Sequence, residues 1–83
     1  MKLTVRYFAS IREALGANET LDAADGLTVG GIRDLLIAKG GPHAAALARH
    51  RALRSALNQV LCDEPARVPD GAELAFFPPV TGG

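Results

Sequence analysis

The chain contains one cysteine, no tryptophan, one tyrosine and three phenylalanines, and no excess of charge of either sign. Each shortage excludes something. A lone thiol, Cys62, cannot build an internal disulfide framework. Small secreted domains generally rely on such cross-links, so a cytoplasmic location is expected. His43 and His50 are distant from that thiol, and no Cys-x-x-Cys, His-Glu-x-x-His or Cys-x-His spacing occurs, so no metal site is expected. Glycine-rich phosphate loops and the Gly-x-Ser-x-Gly nucleophile elbow are absent as well. Nine basic residues balance nine acidic ones, which leaves no bulk field to hold nucleic acid or an anionic membrane. No apolar run reaches the ~18 residues of a membrane span. The opening residues MKLTVRYFAS interleave charge with apolar side chains and are not expected to act as a secretory signal. A self-contained enzyme of standard type is therefore not expected.

What is present fits one small domain of 83 residues, 48% apolar and 22% charged. Such a domain buries only about 60–65% of its unfolded surface, so its stability margin is thin. Residues 2–8, KLTVRYF, alternate: Leu3, Val5 and Tyr7 share one face, which predicts a strand with one buried side. Ser10 is placed to cap a short helix, IREALG, with Glu13 completing a capping box and Gly16 closing it. NETLDA predicts a weak second strand, and Ala24-Asp25-Gly26 a turn. Thr28 is a good N-cap for the main helix, with Leu27 and Ile32 as a hydrophobic staple. Ile32, Leu35 and Leu36 are expected to form its apolar stripe, and Gly40-Gly41-Pro42 its end. Gly30 and Gly31 in its first turn are costly there, yet no preceding strand or lysine supports a phosphate cradle.

Residues 43–52 are alanine-rich and predicted helical. Both histidines are expected at the surface. Arg49, His50, Arg51 and Arg54 form a basic cluster, read as a solvated face or, more sharply, as a docking surface for an acidic partner. Residues 53–57 predict a strand, Asn58-Gln59 a tight turn, and Val60-Leu61-Cys62 a short return strand with Cys62 as a small core residue. After a turn at Pro69-Asp70-Gly71, ELAFF predicts the last strand, with Leu74 and Phe76 on one face and Glu73, Ala75 and Phe77 on the other. A helical crossover between two early and three late strands predicts an α+β fold, a mixed sheet of the β-grasp type packed on helices, over residues 1–77.

Residues 78–83, PPVTGG, form a separate tail. Pro78 and Pro79 lack N–H donors and hold φ near −65°, which ends sheet pairing and favours a stiff, extended exit. Six extended residues reach roughly 20 Å, enough to enter a deep pocket of another protein. Gly82 and Gly83 lack Cβ atoms, so a narrow channel can close on their backbone. A terminal carboxylate is anionic at neutral pH and can attack the α-phosphate of ATP to give an acyl adenylate. A thiol or amine can then displace AMP.

YFASIREALG near the start, ALNQVL, and DGAELAFFPPVTGG at the end occur in the order and spacing of a known family. The chain resembles the sulfur carrier (small) subunits of molybdopterin synthase, which are ubiquitin-like β-grasp proteins. A bare Gly-Gly would equally suit the thiamine sulfur carrier, ubiquitin or the tRNA-thiolation modifier; FFPP before it favours the molybdopterin family. Ala72 in place of the usual Asp, and Gly30-Gly31, are departures that bear on local stability.

The resemblance implies a carrier that is non-catalytic alone and holds no permanent cofactor. An activating enzyme would consume ATP to adenylate Gly83, and a persulfide donor would supply sulfur for a C-terminal thiocarboxylate. The large synthase subunit would receive the tail and pass sulfur to cyclic pyranopterin monophosphate, in a heterotetramer of two carriers and two large subunits. On that reading Gly83 carries the reactive atom and Gly82 gives clearance. Val80 and Thr81 are gripped by the channel, Pro78 and Pro79 set direction, and Phe77 is the leading docking residue. Phe8 and Arg12 are further docking candidates. The alternatives are a carrier for thiamine or tRNA thiolation, a modifier forming isopeptide bonds, or an interaction domain with an inert tail.

Overall fold

The computed structural model describes residues 1–79. The chain order is β1 (Lys2–Tyr7), α1 (Ala9–Leu15), β2 (Asn18–Asp22), α2 (Val29–Ile37), α3 (Gly41–Ala46), β3 (Arg54–Leu57), β4 (Val60–Cys62) and β5 (Glu73–Phe77). The strands form one mixed sheet in the order β2-β1-β5-β3-β4, with β5 parallel to β1 and antiparallel to β3. The α+β fold of β-grasp type expected from the sequence is the fold observed.

Alternation dictates the faces. Leu3, Val5 and Tyr7 of β1 and Leu74 and Phe76 of β5 are almost wholly buried against the helices. Each such side chain contributes roughly 1.5–3 kcal/mol by leaving water. On α2, Val29, Ile32 and Leu36 complete this core. Leu35 was expected in the same stripe but lies off it, 42% exposed, because residues 29, 32, 33 and 36 occupy the inward arc of the 3.6-residue period. Ala72 is also buried in the core, so the apolar residue at this position suits its surroundings.

The first turn of α1 departs from expectation. Its N-cap is Phe8, no side chain caps it, and Ser10 already lies inside the helix, so the capping box with Glu13 does not form. Burying Ile11 straight after β1 starts the helix early, and Ala9 takes up the sharp change of direction at φ 53°. Gly16 ends this helix as predicted, with φ 91°. Thr28 caps α2 as predicted, its Oγ1 accepting from the Gly31 N–H at 3.1 Å. The N–H groups of Val29 and Gly30 donate to the carbonyls of Ala66 and Glu64. The three first-turn donors are thus already used.

The alanine-rich segment is helical only to Ala46, far short of residue 52. The reason is Arg33, a charged residue only 3% exposed. Its guanidinium donates to the carbonyls of Leu47, Ala48 and Arg51 at 2.8, 2.6 and 3.0 Å, and pairs with Glu64 at 2.8 Å. These bonds hold residues 47–51 as a turn rather than a continuing helix. Gly40, at φ 75°, and Pro42 in the first turn of α3 serve to start that helix as well as to end α2.

The hairpin is as expected: Asn58 and Gln59 adopt φ 48° and 70°, the left-handed values that a two-residue turn requires. Cys62 is half-buried against the core and contacts the Ser55 hydroxyl.

Candidate functional site at the root of the C-terminal tail

β5 is the middle strand of the sheet, and Pro78-Pro79 follow its last residue. The root of the tail is therefore anchored on both sides: Phe77 pairs in register with Arg54 of β3, and the N–H of Phe8 donates to the Phe76 carbonyl at 3.2 Å. Phe76 points into the core, and Phe77 points to the opposite face, which no helix covers among the described residues. The two-residue period of a strand makes that opposition unavoidable.

Phe8 and Phe77 meet on the open face. Their ring centroids are 6.5 Å apart at an interplanar angle of 85°, the edge-to-face arrangement that ring quadrupoles favour. The Arg6 guanidinium sits 5.2 Å from the Phe8 ring centroid and pairs with Glu73 at 3.5 Å. Both rings remain half-buried. Beside them, Ala75 and Ala56 pair across β5 and β3, and Ala56 pairs with Leu61 of β4. Leu61 is 62% exposed. Phe8, Phe77, the two alanines and Leu61 thus form an apolar band on the open sheet face.

Leu61 was not singled out from the sequence, although a signal was available. The Asn58-Gln59 turn sets the register Leu57↔Val60 and Ala56↔Leu61, and that register places Leu61 on the face of Ala75 and Phe77.

Arg12 lies on α1, exposed, four residues from Phe8. Arg12 and Arg54 make no ion pair among the described residues, so their charges are available at the surface. Val80, Thr81, Gly82 and Gly83 lie outside the described residues.

The basic cluster is divided by the fold. Arg49 is exposed but already paired: it is bound by Asp34 at 2.7 Å, by Glu64, and by the Gly30 carbonyl at 3.0 Å. Both carboxylates raise the Arg49 pKa, and Arg49 in turn, with Arg33, holds the Glu64 carboxyl below its ordinary range against the opposing effect of burial. Gly30 makes this possible, since a Cβ there would stand 3.0 Å from Glu64 Oε1. The costly glycine in α2 thus leaves Glu64 room to pair with Arg49. Arg51, His50 and Arg54 stay exposed.

His43, expected at the surface, is half-buried and lies 2.7 Å from Glu19 Oε2. The Tyr7 hydroxyl donates to the same oxygen at 2.8 Å, and Lys39 Nζ reaches Oε1 at 3.0 Å. Burial raises the Glu19 pKa, but the His43, Tyr7 and Lys39 donors outweigh it and hold the carboxyl down at about 2. Burial and the same carboxylate push the Tyr7 hydroxyl up. This cluster ties the start of α3 to the sheet edge.

The comparisons with known proteins decide the family. The ThiS family model matches residues 5–83. The chain belongs to the ThiS family. It is 42% identical over 81 residues to the molybdopterin synthase sulfur carrier subunit of Escherichia coli K12, covering 98% of this chain and 99% of that protein. The resemblance drawn from YFASIREALG and FFPPVTGG therefore holds over nearly the whole length. Among solved structures, SAMP1 from Haloferax volcanii superposes with a TM-score of 0.79 at 26% identity over all of both chains. A chain in the complex of subunits 1 and 2 of molybdopterin-converting factor from Helicobacter pylori 26695 superposes with a TM-score of 0.68 at 26% identity, again over all of both.

Proposed function

We propose that this ThiS-family chain is the sulfur carrier subunit of a molybdopterin synthase and that it works through the carboxylate of Gly83. The observation that carries this reading is the 42% identity to the E. coli carrier over 98% of the chain. The site geometry supports it. A tail rooted on the middle strand is held by hydrogen-bonded neighbours on both sides, so a partner that grips the domain also sets the direction of the tail. Beside the root lies an apolar band of Phe8, Phe77 and Leu61, the kind of partly exposed patch that serves docking.

On this reading an activating enzyme brings ATP to the tail, and a Gly83 carboxylate oxygen attacks the α-phosphate while pyrophosphate leaves. The outer sulfur of a persulfide then attacks the acyl carbon and displaces AMP, and a thiol reductant cleaves the resulting acyl disulfide, leaving the thiocarboxylate on Gly83 and a disulfide as the oxidised product. The large synthase subunit receives Val80–Gly83 in a channel and transfers the sulfur to cyclic pyranopterin monophosphate. The acid and base groups belong to the partners; this chain contributes position and the reactive terminus. The Helicobacter pylori complex of two converting-factor subunits is consistent with a docked carrier.

The test is the intact mass after incubation with ATP, a cognate activating enzyme and a sulfide source. The expected result is one oxygen replaced by one sulfur, lost when Gly83 is deleted. An unchanged mass, with the enzyme competent on another carrier, would return the choice to a modifier or an inert interaction domain.

A further inference from the structure

A second apolar surface borders the tail root, on the helix side of the sheet. α1 and α3 enclose a groove of about 340 Å³ whose lining includes Ile11, Ala14, Pro42, Ala45, Ala46 and Pro78. Half of its lining is alanine or serine, and the space is roomy enough for a side chain from elsewhere. Arg51 is the one charged residue in that lining among the described residues. It makes no ion pair there, in contrast to Arg33 and Arg49 on either side of the same turn. Its position is nevertheless fixed. Its carbonyl accepts from Arg33 at 3.0 Å, and its N–H donates to the Ala48 carbonyl at 2.9 Å. The backbone that carries this charge is already ordered, so only the side chain has to settle when it meets a partner.

The groove reaches the tail root from the side of the sheet opposite the open-face band. Phe77 belongs to that band and the next residue, Pro78, lines the groove. A protein that encloses the chain beyond Pro79 in a channel must abut the root from both sides. We propose that the α1–α3 groove is a second docking site for the protein that receives the tail, taking one of its apolar side chains with a carboxylate set against Arg51. This rests on the reading that a large subunit receives the tail. An acidic rim is the complement of Arg51, the charged residue of the lining, and of Arg12, which follows the lining residue Ile11 on α1.

The experiment is calorimetric titration of the full chain into its cognate large subunit, with Ala45→Phe, Arg51→Glu and Phe77→Ala as variants. Ala45 is exposed at the groove wall, so the larger side chain fills the groove rather than the core. Ala45→Phe and Arg51→Glu are each expected to weaken binding about tenfold. The Arg51→Glu deficit should shrink at high salt, which a packing defect would not do. If Ala45→Phe does not fold, Arg51→Glu and its salt dependence carry the test alone. If the unaltered chain fails to bind, the functional reading falls and takes the groove with it. If the chain binds and only Phe77→Ala weakens it, the groove assignment alone is overturned. Self-association of the free chain that Arg51→Glu abolishes would also overturn it, by making the occupant a second copy.

Discussion

Arg33 and Arg51 touch the same turn and serve opposite ends. Arg33 is buried and has every bond it needs: three carbonyls and the Glu64 carboxylate. Arg51 is exposed, makes no ion pair among the described residues and lies beside the root of the tail. The same contrast divides the aromatic residues, since Phe76 is sealed in the core while Phe77 is left half-covered beside Phe8. Groups with complete internal partners hold the fold. Groups carried on an ordered backbone but incompletely partnered are the ones a second protein can complete, because only their side chains remain to be ordered.

That division can be broken most sharply at the far end of the tail. Adding one residue after Gly83 is expected to abolish thiocarboxylate formation while leaving the unfolding free energy within about 0.5 kcal/mol of the parent, since no core contact changes. Undiminished sulfur loading of the extended chain would remove Gly83 from the chemistry.

Arg33→Ala tests the closed side. It strips three carbonyls of their donor and leaves Glu64 to Arg49 alone, and losing the hydrogen bonds of a buried guanidinium costs about 3 kcal/mol. Against a total of about 5–15 kcal/mol for a domain, that is enough to unfold a thin-margined chain near its working temperature. Denaturant titration checks it, and a loss below about 1 kcal/mol would mean the turn at 47–51 holds itself.

Phe77→Ala should behave in the opposite way. Affinity for the large subunit is expected to fall by about 2 kcal/mol, roughly thirtyfold. Stability should fall by only about 1–2 kcal/mol, from the lost edge-to-face pair and partial burial. A stability loss of several kcal/mol with binding intact would place Phe77 with the core residues.

The smallest effect belongs to Glu19. Its carboxyl titrates at about 2 in the folded chain, below its ordinary range, so the unfolded chain binds this proton at higher pH. The stabilisation it supplies is complete above about pH 5 and drains away as pH falls towards 2. Solvent screening of a side chain 23% exposed keeps it near 1–2 kcal/mol. Glu19→Gln should lower stability by about that amount at neutral pH and flatten the acid limb of a stability-against-pH curve. An unchanged acid limb would show that other carboxylates carry it.

Much of this molecule could be read from local chemistry. The alternation of KLTVRYF and ELAFF, the Thr28 cap, the Gly16 stop and the Asn58-Gln59 turn each act through neighbours close in the chain, and each was found where expected. For the same reason the opposition of Phe76 and Phe77 was legible: a strand turns successive side chains to opposite faces wherever it is placed. The family resemblance was carried by YFASIREALG, ALNQVL and the ending DGAELAFFPPVTGG, with FFPPVTGG its specific part.

What tertiary structure decided were the contacts between residues distant in sequence. Arg33 reads as one more charge on a helix until the fold brings Leu47, Ala48, Arg51 and Glu64 around it, and those bonds cut the alanine-rich helix short against its propensity. Gly30 looks like a fault in α2 until Glu64 and Arg49 close on it. The Ser10 cap fails because Ile11 must reach the core immediately after β1. The basic cluster, uniform in sequence, becomes one paired surface brace and a set of free charges by the placement of two carboxylates, Asp34 and Glu64, each 15 residues from Arg49. Propensity and period are properties of a few neighbouring residues; the partner that completes a buried charge is a property of the whole chain.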